Sequence, residues 1–535
     1  MPAVRPRLPL ILLGLALGLV LVASLGRYAL TQQAEALLAE QGFTYAQRRD
    51  GLVWLRYRGL QGRGVEAESL EISLLPRPSA RVAGVTVDLA ALSGGAGSGG
   101  EGSARPWLRA LRERVPVEVA GLEVRYGEDQ VAQGLSGELS PRLRVEGPDA
   151  SLSRGPAGEI EAALRRTVSW GPLSGAAEAS LRCAEVCTLA VTMPAAVLSH
   201  PRLAKAPLGP LPLQVTVSGA LGGGPVQGEA TLGGLRATLS GSVEPTSRAY
   251  DLQVEALGLP LEGVVALFDR QIPEAAGATL RGTLGATLHL TGSPLVWSLE
   301  PQAEGLAAEG VIGEALTRAG GNLTWRAPAA GGEVRLRSTG PGAPGWVGLN
   351  DAGLVPAAFI AAEDAGFYGH RGYDLSAIRE ALRDAAADPE DLRGGSTISQ
   401  QLAKNLFLDG NERTLCRKLR ELLYALELDR GLGKANILEL YVNIVELGPE
   451  IYGLREGADA YFLKTPARLS PREAAFLAAI LRSPRTSYER AYLGGRVPNA
   501  RIDAILDNMG RAGVLSPAAR DRAQRSSLLF VPPSR

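Results

Sequence analysis

Apolar and polar residues alternate with a period of two along much of the chain between residues 51 and 325. Residues 84–89 read GVTVDL, residues 213–217 read LQVTV, residues 252–256 read LQVEA and residues 284–290 read LGATLHL. Such alternation predicts strands with one buried face and one wet face, separated here by turns rich in Gly, Pro and Ser. We therefore expect an antiparallel, curved sheet.

The period becomes helical after Trp346. Apolar residues at helical spacing predict four amphipathic helices: Leu375, Ile378, Leu382 and Ala385; Ile398, Leu402 and Leu406; Leu415, Leu419, Leu422 and Leu426; Ile437, Leu440 and Tyr441. Residues 474–481 are apolar on nearly every face and predict a buried central helix. The linker GPGAPG at 340–345 separates the two patterns, so we place a β-rich region at 33–339 and a mostly α-helical domain at 346–535.

An uncharged apolar run at 8–26 follows Arg5 and Arg7. As a helix it would be about 28 Å long, close to the thickness of the hydrocarbon core of a bilayer. We expect a membrane anchor at 1–32, a cytoplasmic N-terminus and a periplasmic remainder. A cleaved signal peptide is the alternative.

Composition narrows the class of protein. A chain of 535 residues favours two or three folded units, and its balanced charge excludes a generally basic nucleic-acid binder.

The stretch SGGAGSGGEGS at 93–103 predicts a flexible excursion. Cys183, Cys187 and Cys416 lack zinc-site spacing, and Cys183 and Cys187, in a predicted hairpin, are either a disulfide or two free thiols.

Lysines are concentrated in the C-terminal third. The chain has 56 basic residues but only five lysines, and four of these, at 404, 418, 434 and 464, lie in or beside short polar blocks. A lysine ammonium group is a compact point charge that suits phosphate, and it is not interchangeable with the planar guanidinium group. Chance clustering on solvated helices is the competing interpretation.

The first block, EDAGFYGHRGYD at 363–374, begins with two carboxylates. A carboxylate in a partly desolvated cleft has a raised pKa, as a general base requires. The second block, GGSTISQQLAKN at 394–405, opens with a turn and two residues that favour a helix N-cap. Free N–H groups at such a helix start favour an anion, and Lys404 shares a face with Gln400.

The third block places Arg417, Lys418 and Glu421 on one helix. Taken alone, this is an ordinary ladder of exposed salt bridges. Lys404 and Arg413 nevertheless lie within fifteen residues of this block. The combined positive charge is sufficient to hold a pyrophosphate.

These blocks, with KANILELYVN at 434–443 and EGADAYFLK at 456–464, resemble the motifs of the family 51 glycosyltransferases, most closely the monofunctional peptidoglycan transglycosylases. The resemblance spans about 346–497. It implies a partly lysozyme-like domain in which Glu363 deprotonates the sugar 4-hydroxyl of the acceptor, lipid II. Undecaprenyl pyrophosphate leaves with inversion, and Glu421 assists near it.

The same resemblance implies a set of substrate-binding residues, namely Asp364, Phe367, His370, Ser396, Thr397, Gln400, Gln401, Lys404, Asn405, Arg413, Arg417, Lys418, Tyr441 and Asn443. It implies no cofactor beyond a divalent ion, Mg²⁺ or Mn²⁺, held with the pyrophosphate near Glu421. The expected partners are lipid II, the nascent glycan chain, the membrane and penicillin-binding transpeptidases, because the chain lacks the SxxK and KTG motifs of a transpeptidase.

Two other functions remain open at this stage. A lysozyme-like muramidase would use Glu363 as an acid, although it would have no pyrophosphate to hold. The β-rich region loosely resembles the AsmA-like repeats of envelope proteins, so the chain could instead be a lipid-transport or scaffold protein. A spacer or partner-binding role for that region is favoured over a groove for acyl chains.

Overall fold

The computed structural model describes residues 38–39, 43–50, 54–62, 64–73, 79–88, 117–126, 129–140, 143–155, 158–220, 222–244, 247, 249–292, 295–312, 323–328, 333–387, 394–408 and 412–532. The predicted membrane span at 8–26 and the predicted flexible excursion at 93–103 lie outside these residues. Within the described ranges, no helix is both long and apolar enough to cross a bilayer.

The N-terminal two thirds of the described chain are mainly strands, as the alternation predicts. They are β1 (Gln47–Asp50), β2 (Trp54–Gly62), β3 (Val65–Ser73), β4 (Ser79–Asp88), β5 (Val117–Tyr126), β6 (Asp129–Ser140), β7 (Arg144–Glu146), β8 (Ala150–Arg154), β9 (Ile160–Trp170), β10 (Leu173–Cys183), β11 (Cys187–Leu198), β12 (Leu208–Gly219), β13 (Gly224–Leu232), β14 (Leu235–Glu244), β15 (Ala249–Pro260), β16 (Thr279–Gly292), β17 (Val296–Glu309), β18 (Leu323–Pro328) and β19 (Val334–Thr339).

Helices dominate the remainder. They are α1 (Leu261–Ala266), α2 (Val355–Glu363), α3 (Leu375–Ala387), α4 (Ile398–Phe407), α5 (Leu415–Ile444), α6 (Gly453–Phe462), α7 (Pro471–Ile480), α8 (Pro484–Ser487), α9 (Asn499–Arg511) and α10 (Pro517–Arg525), with a short hairpin of β20 (Glu446–Gly448) and β21 (Ile451–Tyr452). All predicted amphipathic helices are confirmed. The third and fourth lie in α5, which is interrupted at Gly433, where φ is 74°.

The described residues divide into two compact units. The first takes its residues from 1–197, 210–254 and 290–295, and the second from 198–209, 255–289 and 296–535. The second unit therefore contains the predicted helical domain together with segments of the β-rich region. The domain boundaries predicted from composition stay a prediction.

The first unit is built on a sheet in which neighbouring strands pair mostly antiparallel, from β1 to β4, from β5 to β10 and from β12 to β14. One pair is different, because β4 and β5 run parallel. The prediction of a purely antiparallel sheet is wrong there. Period-two alternation carries no information on strand direction, and the connection at 89–116 exceeds the dozen or so residues that a parallel crossover needs.

The main core of the first unit lies along β2 to β7, where the apolar side chains of alternate positions are buried. Its buried members include Tyr57, Leu60, Leu70, Val85, Val87, Val119, Leu122 and Val145. Farther along, Leu213, Val215 and Val217 of β12 are only half-buried, and Gln214 and Thr216 are exposed, which confirms the two-faced strand. Cys183 and Cys187 form a disulfide at the turn between β10 and β11.

The core of the second unit surrounds α7, which confirms the predicted central helix. Every residue from Arg472 to Ile480 is buried. Phe476 of this helix contacts Tyr461, Phe462 and Phe530, with ring centroids 4.9 to 5.9 Å apart. Helices α2 and α9 also pack against α7, so the helix that ends at Glu363 rests directly on this core.

Gly453 tests how tightly the second unit is built. Its φ is +79°, and an added Cβ would lie 2.5 Å from the carbonyl oxygen of Asn443. We predict that Gly453→Ala lowers the free energy of unfolding by about 3 kcal/mol, from backbone strain plus overlap. The midpoint of urea unfolding, followed by far-ultraviolet circular dichroism, measures this loss.

Gly495→Ala is the matched control, because Gly495 also has a positive φ, +66°, but a Cβ there would meet open space. It should cost only about 1 kcal/mol, the backbone part alone. Equal losses for the two variants would contradict the predicted overlap at Gly453.

Candidate active site

Glu363 ends helix α2, whose sequence VPAAFIAAE is apolar up to that residue. The helix buries Val355, Ala358 and Phe359, and it thereby carries the carboxylate to the edge of the core. The Glu363 side chain is 15% exposed. Its Oε2 accepts a hydrogen bond from Gln401 Nε2 at 3.0 Å, and its Oε1 pairs with an Arg501 guanidinium nitrogen at 2.9 Å.

Two opposed effects set the protonation of Glu363. Burial raises the pKa of its carboxyl above the ordinary value. The hydrogen bond from Gln401 and the positive charge of Arg501 act in the other direction, as do the more distant charges of Arg482 and Lys404. The result is a carboxylate held by charged and polar partners in a partly dry site, as a proton acceptor requires.

Tyr441 lies behind Gln401 and is fully buried. Its hydroxyl donates a hydrogen bond to Gln401 Oε1 at 2.8 Å, which leaves the amide nitrogen of Gln401 directed at Glu363. Burial, with the nearby charges of Glu363 and Asp364, holds the pKa of Tyr441 well above its ordinary range, so its hydroxyl remains a donor.

Asp364 turns away from Glu363 into a second, internal network. Its carboxylate accepts the Ile398 N–H at 2.8 Å and contacts His370 Nε2 at 2.9 Å. His370 Nδ1 lies 3.4 Å from Lys434 Nζ. Lys434 pairs with Asp429 at 2.9 Å.

The same network reaches the start of α4 at a second point and includes one aromatic ring. Asp429 accepts a hydrogen bond from the Ser399 hydroxyl at 2.7 Å. Buried Phe367 lies under the Lys434 ammonium group, 4.6 Å from the ring centroid. Asp364 and Asp429 therefore fix the first turn of α4 at Ile398 and Ser399.

The second block starts α4 in the predicted way. Thr397 is the N-cap, and it forms a capping box with Gln400 in which each side chain accepts the other residue's backbone N–H. The Thr397 hydroxyl also donates to the carbonyl oxygen of Gly372 at 2.7 Å. Thr397 and Gln400 are thus both used within the protein, whereas Lys404 and half-buried Asn405 lie farther along the helix.

The third block forms a compact charged cluster on α5. Glu421 is buried, and its two carboxylate oxygens are engaged separately, one by Arg417 and the other by Lys418 at 2.8 Å. Lys418 Nζ also donates to the Ser396 hydroxyl at 2.8 Å, which joins the second block to the third. Among the described residues, Arg417 Nε is a buried donor for which the structure has no acceptor.

Lys404 is influenced by the charges of two carboxylates of the site, Glu363 and Glu421. Burial lowers the pKa of its ammonium group, and the charges of Glu421 and Glu363 oppose that effect. Arg417 and Lys418 lower it further, since they place like charge nearby. Lys404 is therefore within electrostatic range of both Glu363 and the Glu421 cluster.

Two predicted residues lie outside this arrangement. Asn443 is buried and binds both the N–H and the carbonyl of Val347, at 2.8 Å each, so it fastens the start of the helical domain. Arg413 is exposed just before the N-cap of α5. The functional roles of all the predicted site residues stay predictions, and the structure adds where each one lies.

Sequence reasoning missed Arg501. It lies on α9, far along the chain from the five blocks, and its Nε donates to the carbonyl oxygen of Ala479 while its terminal nitrogen holds Glu363. One arginine on a helix gives no local signal in a chain that uses arginine so widely. Asp429 was missed for a similar reason. Its partner Ser399 is distant in the sequence, and its partner Lys434 follows about one helical turn later.

The described residues contain no group of three or more histidine, cysteine or carboxylate side chains that could hold a metal ion. Glu421 is the carboxylate expected near such an ion, and both of its oxygens already pair with cationic side chains. The residues present do not form a protein site for a metal.

Comparison with known proteins places this site in a family. Residues 346–510 match the Transglycosylase family. A biosynthetic peptidoglycan transglycosylase of Shewanella amazonensis is 46% identical over 174 residues, which are 32% of this chain and 68% of that protein. The counterpart from Azoarcus is 40% identical over 183 residues, which are 34% of this chain and 75% of that protein.

A third relative with the same name, from Alcanivorax borkumensis, is 49% identical over 127 residues, 24% of this chain and 51% of that protein. A solved structure of penicillin-binding protein 1A from Haemophilus influenzae matches 39% of this chain and 21% of its own at 19% identity with a TM-score of 0.20, from which we draw no conclusion. The chain thus spans between half and three quarters of the transglycosylases compared. It belongs to the family of peptidoglycan transglycosylases, and the domain that holds Glu363, Lys404 and Glu421 is its glycosyltransferase.

Proposed function

We propose that this glycosyltransferase polymerises lipid II into glycan strands and releases undecaprenyl pyrophosphate with inversion at the anomeric carbon. The observation that supports the proposal is that Lys404 interacts electrostatically with both Glu363 and Glu421, and that Glu421 is paired with Arg417 and Lys418. A proton acceptor and a phosphate-binding cluster would then serve one reaction centre.

Glu363 acts as the general base in this scheme. The 4-hydroxyl oxygen of the acceptor sugar attacks the anomeric carbon of the donor, and its proton passes to the Glu363 carboxylate. The bond between the anomeric carbon and the pyrophosphate oxygen breaks with its electron pair. Gln401 and Arg501 keep the carboxylate oriented and favour its ionised form.

Arg417, Lys418 and Lys404 stabilise the departing pyrophosphate. Arg417 and Lys418 pair with the two oxygens of one carboxylate, Glu421, and Lys404 adds a third positive charge within electrostatic range, so the cluster has positive charge in excess. The unpartnered Nε of buried Arg417 is a donor that a phosphate oxygen would satisfy. A pyrophosphate leaving group needs charge stabilisation rather than protonation, so cations take the place of the general acid of a glycosidase.

A divalent ion, if it accompanies the substrate, would find most of its ligands on the phosphate oxygens, because Glu421 is already paired on both sides. The same excess of positive charge speaks against a muramidase, which has no pyrophosphate to bind. Incubation of purified protein with labelled lipid II, followed by sizing of the product on a gel, tests the proposal. Cleavage of finished glycan without polymerisation would favour the muramidase.

For the whole protein, we propose anchoring in the inner membrane by a single span, with a cytoplasmic N-terminus and a periplasmic catalytic domain. Since the sequence lacks transpeptidase motifs, cross-linking would come from penicillin-binding transpeptidases as partners. The AsmA-like resemblance of the β-rich region supports a spacer or partner-binding role for it in the envelope.

Glu363→Gln tests the base. We predict that kcat for lipid II polymerisation falls roughly 10²- to 10⁴-fold, since the amide cannot accept the proton, while KM changes little. Steady-state kinetics with labelled lipid II measure both. Glu380→Gln, an exposed position on α3, is the control and should keep full activity. A fully active Glu363→Gln enzyme would refute the assignment.

Arg501→Gln tests the electrostatics of the base. Protonated Glu363 cannot act, so kcat/KM declines as pH falls through its pKa. Burial raises that pKa, and with it the pH of the decline, above the ordinary value for a glutamate. Loss of the Arg501 charge raises the pKa further, so the acidic limb should move to higher pH. Profiles of kcat/KM against pH check the shift.

Arg511→Gln is the control for that profile, because Arg511 is exposed on the same helix. Its acidic limb should coincide with that of the unchanged protein. An Arg501→Gln limb that moves to lower pH would contradict the predicted sign.

Lys404→Ala tests the binding of the leaving group. We predict a loss in kcat/KM of roughly 10- to 100-fold, the range of a charge-assisted hydrogen bond. Lys404→Arg should recover part of the loss, because it restores the charge with a different donor geometry. Equal activity of the alanine variant and the unchanged protein would exclude Lys404 from the phosphate site.

A further inference from the structure

Two segments of the β-rich region, residues 200–206 and 271–274, pack against the first two turns of α5. We propose that these segments, here called the collar, position the phosphate-binding residues of α5 and so belong to the catalytic unit. The inference rests on the proposed function. The collar lies outside residues 346–510, the part that matches the transglycosylase family.

The collar supplies hydrogen-bond acceptors to the helix start. The Leu415 N–H donates to the Arg202 carbonyl at 2.8 Å, and the Cys416 N–H donates to the Leu203 carbonyl at 3.0 Å. The first N–H groups of a helix have no partners within the helix itself. Here a separate segment of chain satisfies them, which fixes both the position and the direction of the helix axis.

Side chains continue the connection towards Arg417. Lys205 Nζ lies 3.1 Å from Glu412, and Glu412 accepts the Thr414 hydroxyl at 2.6 Å. Thr414 in turn is the N-cap of α5 and accepts the Arg417 N–H at 3.1 Å. An unbroken chain of polar contacts therefore leads from the collar to the backbone of a residue that pairs with Glu421.

The second collar segment is hydrogen-bonded to the first and also contacts helix α5. The Gln271 amide makes two hydrogen bonds to the backbone of Ala206, both 3.0 Å. Glu274 has only 5% of its side chain exposed and pairs with Arg420. The Cys416 thiol contacts the Gln271 carbonyl at 3.6 Å.

Helix α5 thus has two neighbouring faces, one that contacts the collar and one that contributes to the site. Cys416 and Arg420 are four residues apart and face the collar, whereas Arg417 and Glu421, also four apart, face the site. The two faces are rotated by about 100°, one residue of helix. The collar face cannot shift or turn without displacing the phosphate-binding face, and a displacement of about 1 Å can greatly reduce catalysis.

Variants of the full-length protein test the collar. Gln271→Ala removes the tie between the two segments, and Glu274→Gln removes the charge that pairs with Arg420. We expect each to reduce kcat/KM for lipid II about tenfold. We also expect each to raise the inhibition constant of inorganic pyrophosphate by a similar factor. A purely structural role for the collar would leave the inhibition constant of pyrophosphate unchanged, so this constant is the deciding readout.

Glu309→Gln is the matched control. Glu309 also belongs to the β-rich region and pairs with Arg430 of α5 at 3.1 Å, but that exposed pair is more than two turns beyond Glu421. Its kcat/KM and pyrophosphate inhibition should stay unchanged. If Glu274→Gln does not fold, Gln271→Ala decides alone, because it alters an exposed contact.

The outcomes distinguish a failure of the collar proposal from a failure of the proposed function. Collar variants that equal Glu309→Gln in both measurements would overturn the collar proposal while leaving lipid II polymerisation intact. An unchanged protein that does not polymerise lipid II would overturn the proposed function and the collar's role in it. Pyrophosphate inhibition that is weakened in the collar variants but not in Glu309→Gln would support the collar proposal.

Discussion

The site depends on the balance between burial of the Glu363 carboxylate and the positive charge placed around it. Burial alone would favour the protonated acid, which cannot serve as a base. Arg501 and Gln401 oppose burial directly, and Lys404 does so from a greater distance. The carboxylate is then held by cationic and polar partners while burial still raises its pKa above the ordinary value. The dry surroundings that raise its basicity also strengthen every charge interaction in the site.

The helix α5 carries this balance into the rest of the second unit. Besides Glu421, it places buried Glu427 where that carboxylate accepts the N–H groups of Gly310, Val311 and Ile312 at 2.6 to 3.0 Å. Farther on, Asn443 binds Val347. A buried carboxylate is costly unless it is fully hydrogen-bonded, and here the cost is met by backbone donors from the end of β17. The helix is therefore joined at several points to chain that precedes it, just after β17 and at Val347.

Local patterns predicted most elements of the fold and the central members of the site. The capping residue Thr397 and the apolar helix ending at Glu363 each leave a signal within a few neighbouring residues. The parallel pairing of β4 and β5 leaves none, because alternation is the same for either direction. Arg501 was also beyond reach, since its meeting with Glu363 is created by packing across 138 residues of sequence.

The internal network shows why so many charged residues of the blocks need not touch substrate. Asp364 and Asp429 hold the start of α4 through Ile398 and Ser399, and His370 and Lys434 link the two carboxylates. Removal of Lys434 alone would take the counter-charge from buried Asp429, which is more destabilising than removal of both charges. The blocks must therefore be kept together for a structural reason that is separate from chemistry. The direction of Gln401 and Lys404, three and six residues along the same helix from Ile398, follows from that fixed start.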